Sequence, residues 1–181
     1  MRCFKIESIE YGWFECRIGK YRIDASDYLG YDISKEFLMK LLKLLKGSSK
    51  EWIYEMNEPG ASMIELSLTE DTITVSVYRM NKTSSDLSKE TEDEIQNCEE
   101  CKYSISIDKS ELVDAIVTEY SLYETGNGRR YYEINWGDFP QIEYNELKCI
   151  AFEINKNRNE LNALQCTTFL EFDGGNEFHG I

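Results

Sequence analysis

From Glu51 to Met80 apolar and polar residues alternate with a period of two through the successive runs EWIYEM, SMIELSLT and TITVSVYRM. Turn-forming residues join the runs: Asn57-Glu58-Pro59-Gly60 before the second and Glu70-Asp71 before the third. Strands linked this way pair antiparallel, whereas parallel pairing needs a crossover of about a dozen residues or more. Ile64, Leu66, Val75 and Val77 would line a dry face and Glu65, Ser67, Thr74 and Ser76 a wet one, so Glu65 and the Glu70-Asp71 pair read as solvated.

Either side of this meander the pattern changes. Cys3 to Ile23 alternates like two further antiparallel strands, with Phe4, Ile6 and Ile9 in the first, Trp13, Phe14, Cys16, Ile18, Tyr21 and Ile23 beyond it, and Gly12 and Gly19 as turn residues. SKEFLMKLLKLLKG instead places Phe37, Leu38, Leu41, Leu42 and Leu45 at helical spacing, with Ser34 able to cap the start and Lys43, Lys46 and Gly47 suited to the end. Lys35, Lys40, Lys43 and Lys46 form the solvated side of that helix. Residues 81–100 are polar and acidic, with seven carboxylates and only Leu87 and Ile95 as large apolar side chains, and read as a long mobile loop. KYSISID is a further strand, and Asp108 or Ser110 caps a helix from about Lys109 to Tyr123, which Gly126-Asn127-Gly128 ends. RRYYEINWGDFPQ fits an edge strand or a short helix. After Pro140 an amphipathic helix carries Leu147, Ile150, Ala151 and Ile154, LQCTTFLEF reads as a last strand, and residues 173–181 as a frayed tail. The expected architecture is α+β: an antiparallel meander backed by two or three amphipathic helices, with residues 1–181 forming a single domain.

Apolar residues make up 41% of the 181 and aromatics 13%, too much for a disordered acidic chain, so the net charge of -14 sits on a folded body. No apolar run reaches the roughly 18 residues of a membrane span, and the N-terminus lacks a signal-peptide layout, so a cytoplasmic location away from the membrane is expected. The six cysteines then read as reduced thiols, with Cys16, Cys149 and Cys166 as small buried hydrophobes. A surface of this sign repels a phosphate backbone, which excludes nucleic acid as the expected partner and favours a basic protein.

Nothing in the chain composes an active site. His179 is the only histidine, which leaves Ser-His-Asp and Cys-His schemes without a base. Glycines fall at the wrong spacing for phosphate or dinucleotide loops. Cys98-Glu99-Glu100-Cys101 has the spacing of half a zinc site or a redox pair, but it lacks a second ligand pair, and its acidic flanks disfavour a thiolate. The reading is therefore non-enzymatic, with no cofactor.

IDASDYLGYDISKEFLMKLLKLLKG, followed by the Glu58-Pro59-Gly60 turn, and the WGDFP turn from Trp136 to Pro140 together resemble an uncharacterised group of small bacterial proteins. That resemblance implies an immunity-like role beside a toxin and no catalytic residue. The acidic segment and the Cys98/Cys101 pair lie outside it. The expected function is thus an acidic immunity or antitoxin-like protein that neutralises a basic toxin. The alternatives are an acidic soluble domain and a thiol- or metal-dependent protein using Cys98 and Cys101. Glu92, Asp93, Glu94, Glu99 and Glu100 are the first candidate binding residues. Tyr131 and Tyr132 join them because interface hot spots favour tyrosine, and two successive tyrosines on an edge strand cannot both point inward. Tyr120 and Trp136 read as core.

Overall fold

The computed structural model describes residues 2–26, 30–57, 60–80 and 98–172, with side chains described over 2–26, 30–55, 62–79 and 101–160. Two antiparallel sheets and helices form a mixed α+β fold. Strands β1 (Phe4–Glu10), β2 (Trp13–Ile18) and β3 (Tyr21–Ser26) make a three-stranded sheet in that order. Helix α1 (Ile33–Leu45) leads to β4 (Lys50–Asn57), β5 (Gly60–Thr69), β6 (Thr72–Met80) and β7 (Cys98–Asp108), a four-stranded sheet in sequence order. Helices α2 (Lys109–Ser121), α3 (Gly126–Asn135) and α4 (Gln141–Phe172) complete the chain.

The alternation read from the sequence sets the register of the larger sheet. Ile53, Ile64 and Val77 lie opposite one another across β4, β5 and β6, as do Leu66 and Val75, and all are buried on the inner face. On the outer face Ser76 and Thr74 hydrogen-bond Ser104 and Ser106 of β7 at 3.0 and 2.9 Å. Glu65 is not free in water, as the pattern implied: it is 9% exposed and paired with Lys50 at 3.0 Å.

The first segment holds three strands, not two, because Gly19-Lys20 reverses the chain between Ile18 and Tyr21. Gly19 has φ +59°, and a Cβ there would stand 2.3 Å from the Tyr103 hydroxyl and 2.7 Å from Ile105 Cδ1. Gly19→Ala should therefore destabilise the fold by about 1–3 kcal/mol, since it meets both a left-handed backbone and overpacking. An unfolding midpoint in urea equal to that of the native protein would contradict this contact.

Helix α1 buries Phe37, Leu38, Leu41, Leu42 and Leu44 against the inner face of the larger sheet and against α4. Its cap is Asp32, whose carboxylate accepts the Lys35 amide at 3.0 Å, and not Ser34, which is buried within the first turn. The lysines on the far side are not simply solvated. Lys40 bridges Glu36 and Glu51, while Lys35 and Lys46 reach Glu143 and Glu146 of α4.

The C-terminal half departs most from expectation. Gly126 opens α3 instead of ending the preceding helix, and the tyrosine-rich stretch is helical. The LQCTTFLEF run continues α4 and is not a strand. Cys149 is exposed, while Cys3 joins Cys16 as a buried thiol; the side chain of Cys166 lies outside those described. The acidic run 81–97, the Glu58-Pro59 pair and the tail 173–181 also lie outside the described residues. Among the described residues no helix is long and apolar enough to cross a membrane.

One cluster of buried side chains joins both sheets to the helices. Its centre is aromatic: Tyr120 lies 6.4 Å from Phe4, 6.2 Å from Phe139 and 6.2 Å from Tyr144, ring to ring. The hydroxyls of Tyr120 and Tyr132 converge on Ser34 Oγ at 2.8 and 2.6 Å, so one buried serine ties α1, α2 and α3 together. A buried polar group that finds such partners specifies a unique packing instead of costing its desolvation.

Candidate functional site

Tyr131 and Tyr132, adjacent in sequence, separate completely in the fold. A helix turns about 100° per residue, so neighbours on α3 face different surroundings. Tyr132 is fully buried, with its ring 5.2 Å from Phe139 and its hydroxyl on Ser34; it belongs to the core and is unavailable to a partner. Tyr131 is 42% exposed. Burial, and secondarily Glu10 beside it, push its phenol above the ordinary tyrosine pKa.

Tyr131 has exposed apolar company. Tyr11 is 90% exposed, Trp13 is 42% exposed, and Ile134, one helical turn beyond Tyr131, is 70% exposed. Glu10 connects them, since it pairs with Trp13 across β1 and β2, precedes Tyr11 and raises the Tyr131 pKa as a neighbouring charge. The result is an aromatic tip around a carboxylate, with Asp138 and Glu133 also exposed nearby in the chain.

The tip is held by an unusual turn. Tyr11 and Gly12 both have positive φ, 52° and 78°, as a two-residue type I′ hairpin requires. Asn-Gly is the usual choice there, because a side chain on a left-handed backbone costs roughly 1–2 kcal/mol. Two contacts with the end of α3 fix the conformation: the Gly12 amide donates to the Asn135 carbonyl at 2.8 Å, and the Tyr11 amide reaches Asn135 Oδ1 at 3.5 Å. Trp136, 5.5 Å from Phe14 and bonded to Asp32 through Nε1, anchors this helix end to the body. A bulky aromatic is thus presented on a strained turn that its surroundings hold rigid.

Glu92, Asp93 and Glu94 are outside the described residues, and Glu99 and Glu100 belong to the first residues of β7, with their side chains not described. The far end of β2, at Ile18-Gly19, adjoins Tyr103 of β7, whereas Trp13 at its near end belongs to the tip. Six residues of strand, about 20 Å at roughly 3.3 Å each, separate Tyr103 from the tip along β2.

The CxxC pair occupies a strand, where Cys98 and Cys101 lie opposite Met80 and Tyr78 of β6, and not the helix N-terminus that a redox motif uses. Cys101 is exposed, as is Cys149. Burial raises Cys3 to about 11 and carries Cys16 higher still, with Glu111 and Glu55 adding to the respective effects. Maleimide at neutral pH should therefore label Cys101 and Cys149 in the native protein and leave Cys16 untouched until it unfolds. Native labelling of Cys16 as fast as of Cys149 would show that the strand packing opens.

Two buried carboxylates had no signal in the sequence. Glu119 of α2 holds Arg2 at 2.8 Å and accepts the Ile6 amide at 3.2 Å, where β1 is irregular beside Glu7. It thereby satisfies an edge-strand donor that would otherwise lack a partner. Glu55 of β4, fully buried, accepts from the Tyr21 hydroxyl at 2.7 Å and the Asp24 amide at 3.0 Å and joins the two sheets. Both are architectural.

The chain matches no protein-family model, no curated protein and no solved structure.

Proposed function

We propose that this protein is a non-enzymatic binding protein that occludes a basic protein partner, in the manner of an immunity protein neutralising a toxin. The observation that carries this reading is the exposed aromatic tip of Tyr11, Trp13, Tyr131 and Ile134 around Glu10, held on a strained turn. Binding energy concentrates in aromatic anchors of this kind, and a rigid presentation lowers the entropy lost on association. The net charge of -14 supplies the other half, attracting a basic surface over a distance of about a Debye length. The aromatic tip takes precedence over the acidic segment as the contact, while the acidic segment contributes to attraction.

The test uses the product of the adjacent reading frame as the partner. Its association rate should fall by about tenfold or more between 50 mM and 0.5 M salt. Trp13→Ala with Tyr131→Ala should speed dissociation by about 30-fold or more while leaving the salt dependence intact. Binding that ignores both salt and the two substitutions would refute the reading.

A further inference from the structure

Positive charge gathers at the opposite end of β2 from the aromatic tip. Lys5 and Arg17 stand directly opposite one another across β1 and β2, a like-charge pairing that by itself destabilises a sheet. Together with Arg2 and Gly19 they line a cavity of about 190 Å³. Arg2 and Arg17 have carboxylate partners in Glu119 and Glu7. Lys5 and Lys20 are exposed and form no ion pair among the described residues.

Arg2 and Gly19 also line a second, larger cavity, of about 420 Å³. One side of it is an unbroken stretch of β7, from Tyr103 to Asp108. β7 is the terminal strand of its sheet and pairs only with β6 among the described residues, so no described strand meets the backbone donors and acceptors of its other edge; within the stretch the Tyr103 carbonyl accepts from Cys101 Sγ at 3.2 Å. Natural proteins usually blunt such an edge with charge, proline or a bulge. From Tyr103 to Ile107 this edge reads YSISI, without charge or proline; Lys102 and a register shift of β7 lie just before it.

The groove has an electrical polarity. Lys20 lies at its Tyr103 end, where its backbone amide donates to the Tyr103 hydroxyl at 3.0 Å, and Asp108 and Glu111 lie at the other. An extended segment added antiparallel to β7, as every pairing among the described residues is antiparallel, would bring its C-terminal end to Lys20 and its N-terminal end to the carboxylates. We infer that the β7 groove is a strand-addition site for an extended peptide whose C-terminal end is acidic. Main-chain hydrogen bonds to β7 supply the affinity, and Lys20 selects the charge. This site is separate from the aromatic tip and stands or falls independently of it.

The probe is the peptide Lys-Thr-Val-Thr-Val-Asp-Glu, titrated into ¹⁵N-labelled protein, with the same residues in reverse order as the control. Amide shifts should concentrate at residues 103–108, and the reversed peptide should bind about tenfold more weakly or worse. Lys20→Glu should weaken the first peptide by a similar factor. This variant should fold, because the Lys20 side chain is exposed in a turn. Tyr11→Ala should leave peptide binding unchanged. Undisturbed β7 amides at millimolar peptide, equal binding of both peptides, or insensitivity to Lys20→Glu would each overturn the inference. So would sedimentation showing that the edge is occupied by a second copy of the chain.

Discussion

Replacing Tyr132 with alanine is expected to cost about 3–5 kcal/mol of folding free energy, while the same change at Tyr131 costs about 0.5 kcal/mol or less. Tyr132 loses a fully buried ring packed against Tyr123 and Phe139, and Ser34 loses a hydrogen-bond donor inside the core. Tyr131 loses a half-exposed ring whose value lies in contact with a partner. Urea unfolding of the two variants side by side measures the difference. Equal destabilisation would mean that α3 does not divide the two tyrosines between core and surface.

A second large effect is expected at Glu55. Burial raises its carboxyl pKa, and the hydrogen bonds from the Tyr21 hydroxyl and the Asp24 amide only partly oppose that shift. The native state therefore keeps a proton that the unfolded chain releases near pH 4.3. The contribution of Glu55 is full below that value and is lost as pH rises through the higher folded-state value, so stability falls with increasing pH across that window. Glu55→Gln should remove up to one proton from the linkage, flattening the curve by at most about 1.4 kcal/mol per pH unit. Glu55→Ala should cost about 2–4 kcal/mol at acidic pH, because it strands both donors between the sheets. Urea unfolding from pH 5 to pH 8 checks both, and parallel curves for native protein and Glu55→Gln would contradict the assignment.

Local pattern made the larger sheet legible. In β5 and β6 apolar residues alternate over short distances, and the Glu70-Asp71 turn fixes the register without reference to the rest of the chain. The same holds for α1, whose leucines repeat at helical spacing. Where the signal is not local, the reading failed. Thr167, Thr168 and Phe169 favour strands by intrinsic preference but continue α4, because strand propensity is weak against an established helix. Ser34 has the chemistry of a cap, yet its hydroxyl meets tyrosines 86 and 98 positions away, which no window of sequence brings together. Glu55 and Glu119 are buried for the same reason, through partners on other elements.

The candidate site divides along the same line. Tyr131 was visible as one of a dense run of tyrosines, but its separation from Tyr132 needed the helix. Gly12 marked the turn from sequence. That Tyr11 shares its left-handed backbone, and that Asn135 holds it, depends on a contact across 124 residues. Aromatic residues exposed on a built turn are a stronger pointer to a contact surface than acidic residues in a chain that is acidic throughout.

The most direct measurement is a rescue assay: the protein is expressed in a heterologous bacterium beside the product of its adjacent reading frame, with survival and co-purification scored together. The account predicts that the native protein restores growth in a co-purifying complex, and that Tyr11→Ala, Trp13→Ala and Tyr131→Ala together abolish both while the variant stays folded. A neighbour that is harmless, that kills without ever co-purifying, or that is neutralised equally well by the triple variant would contradict it.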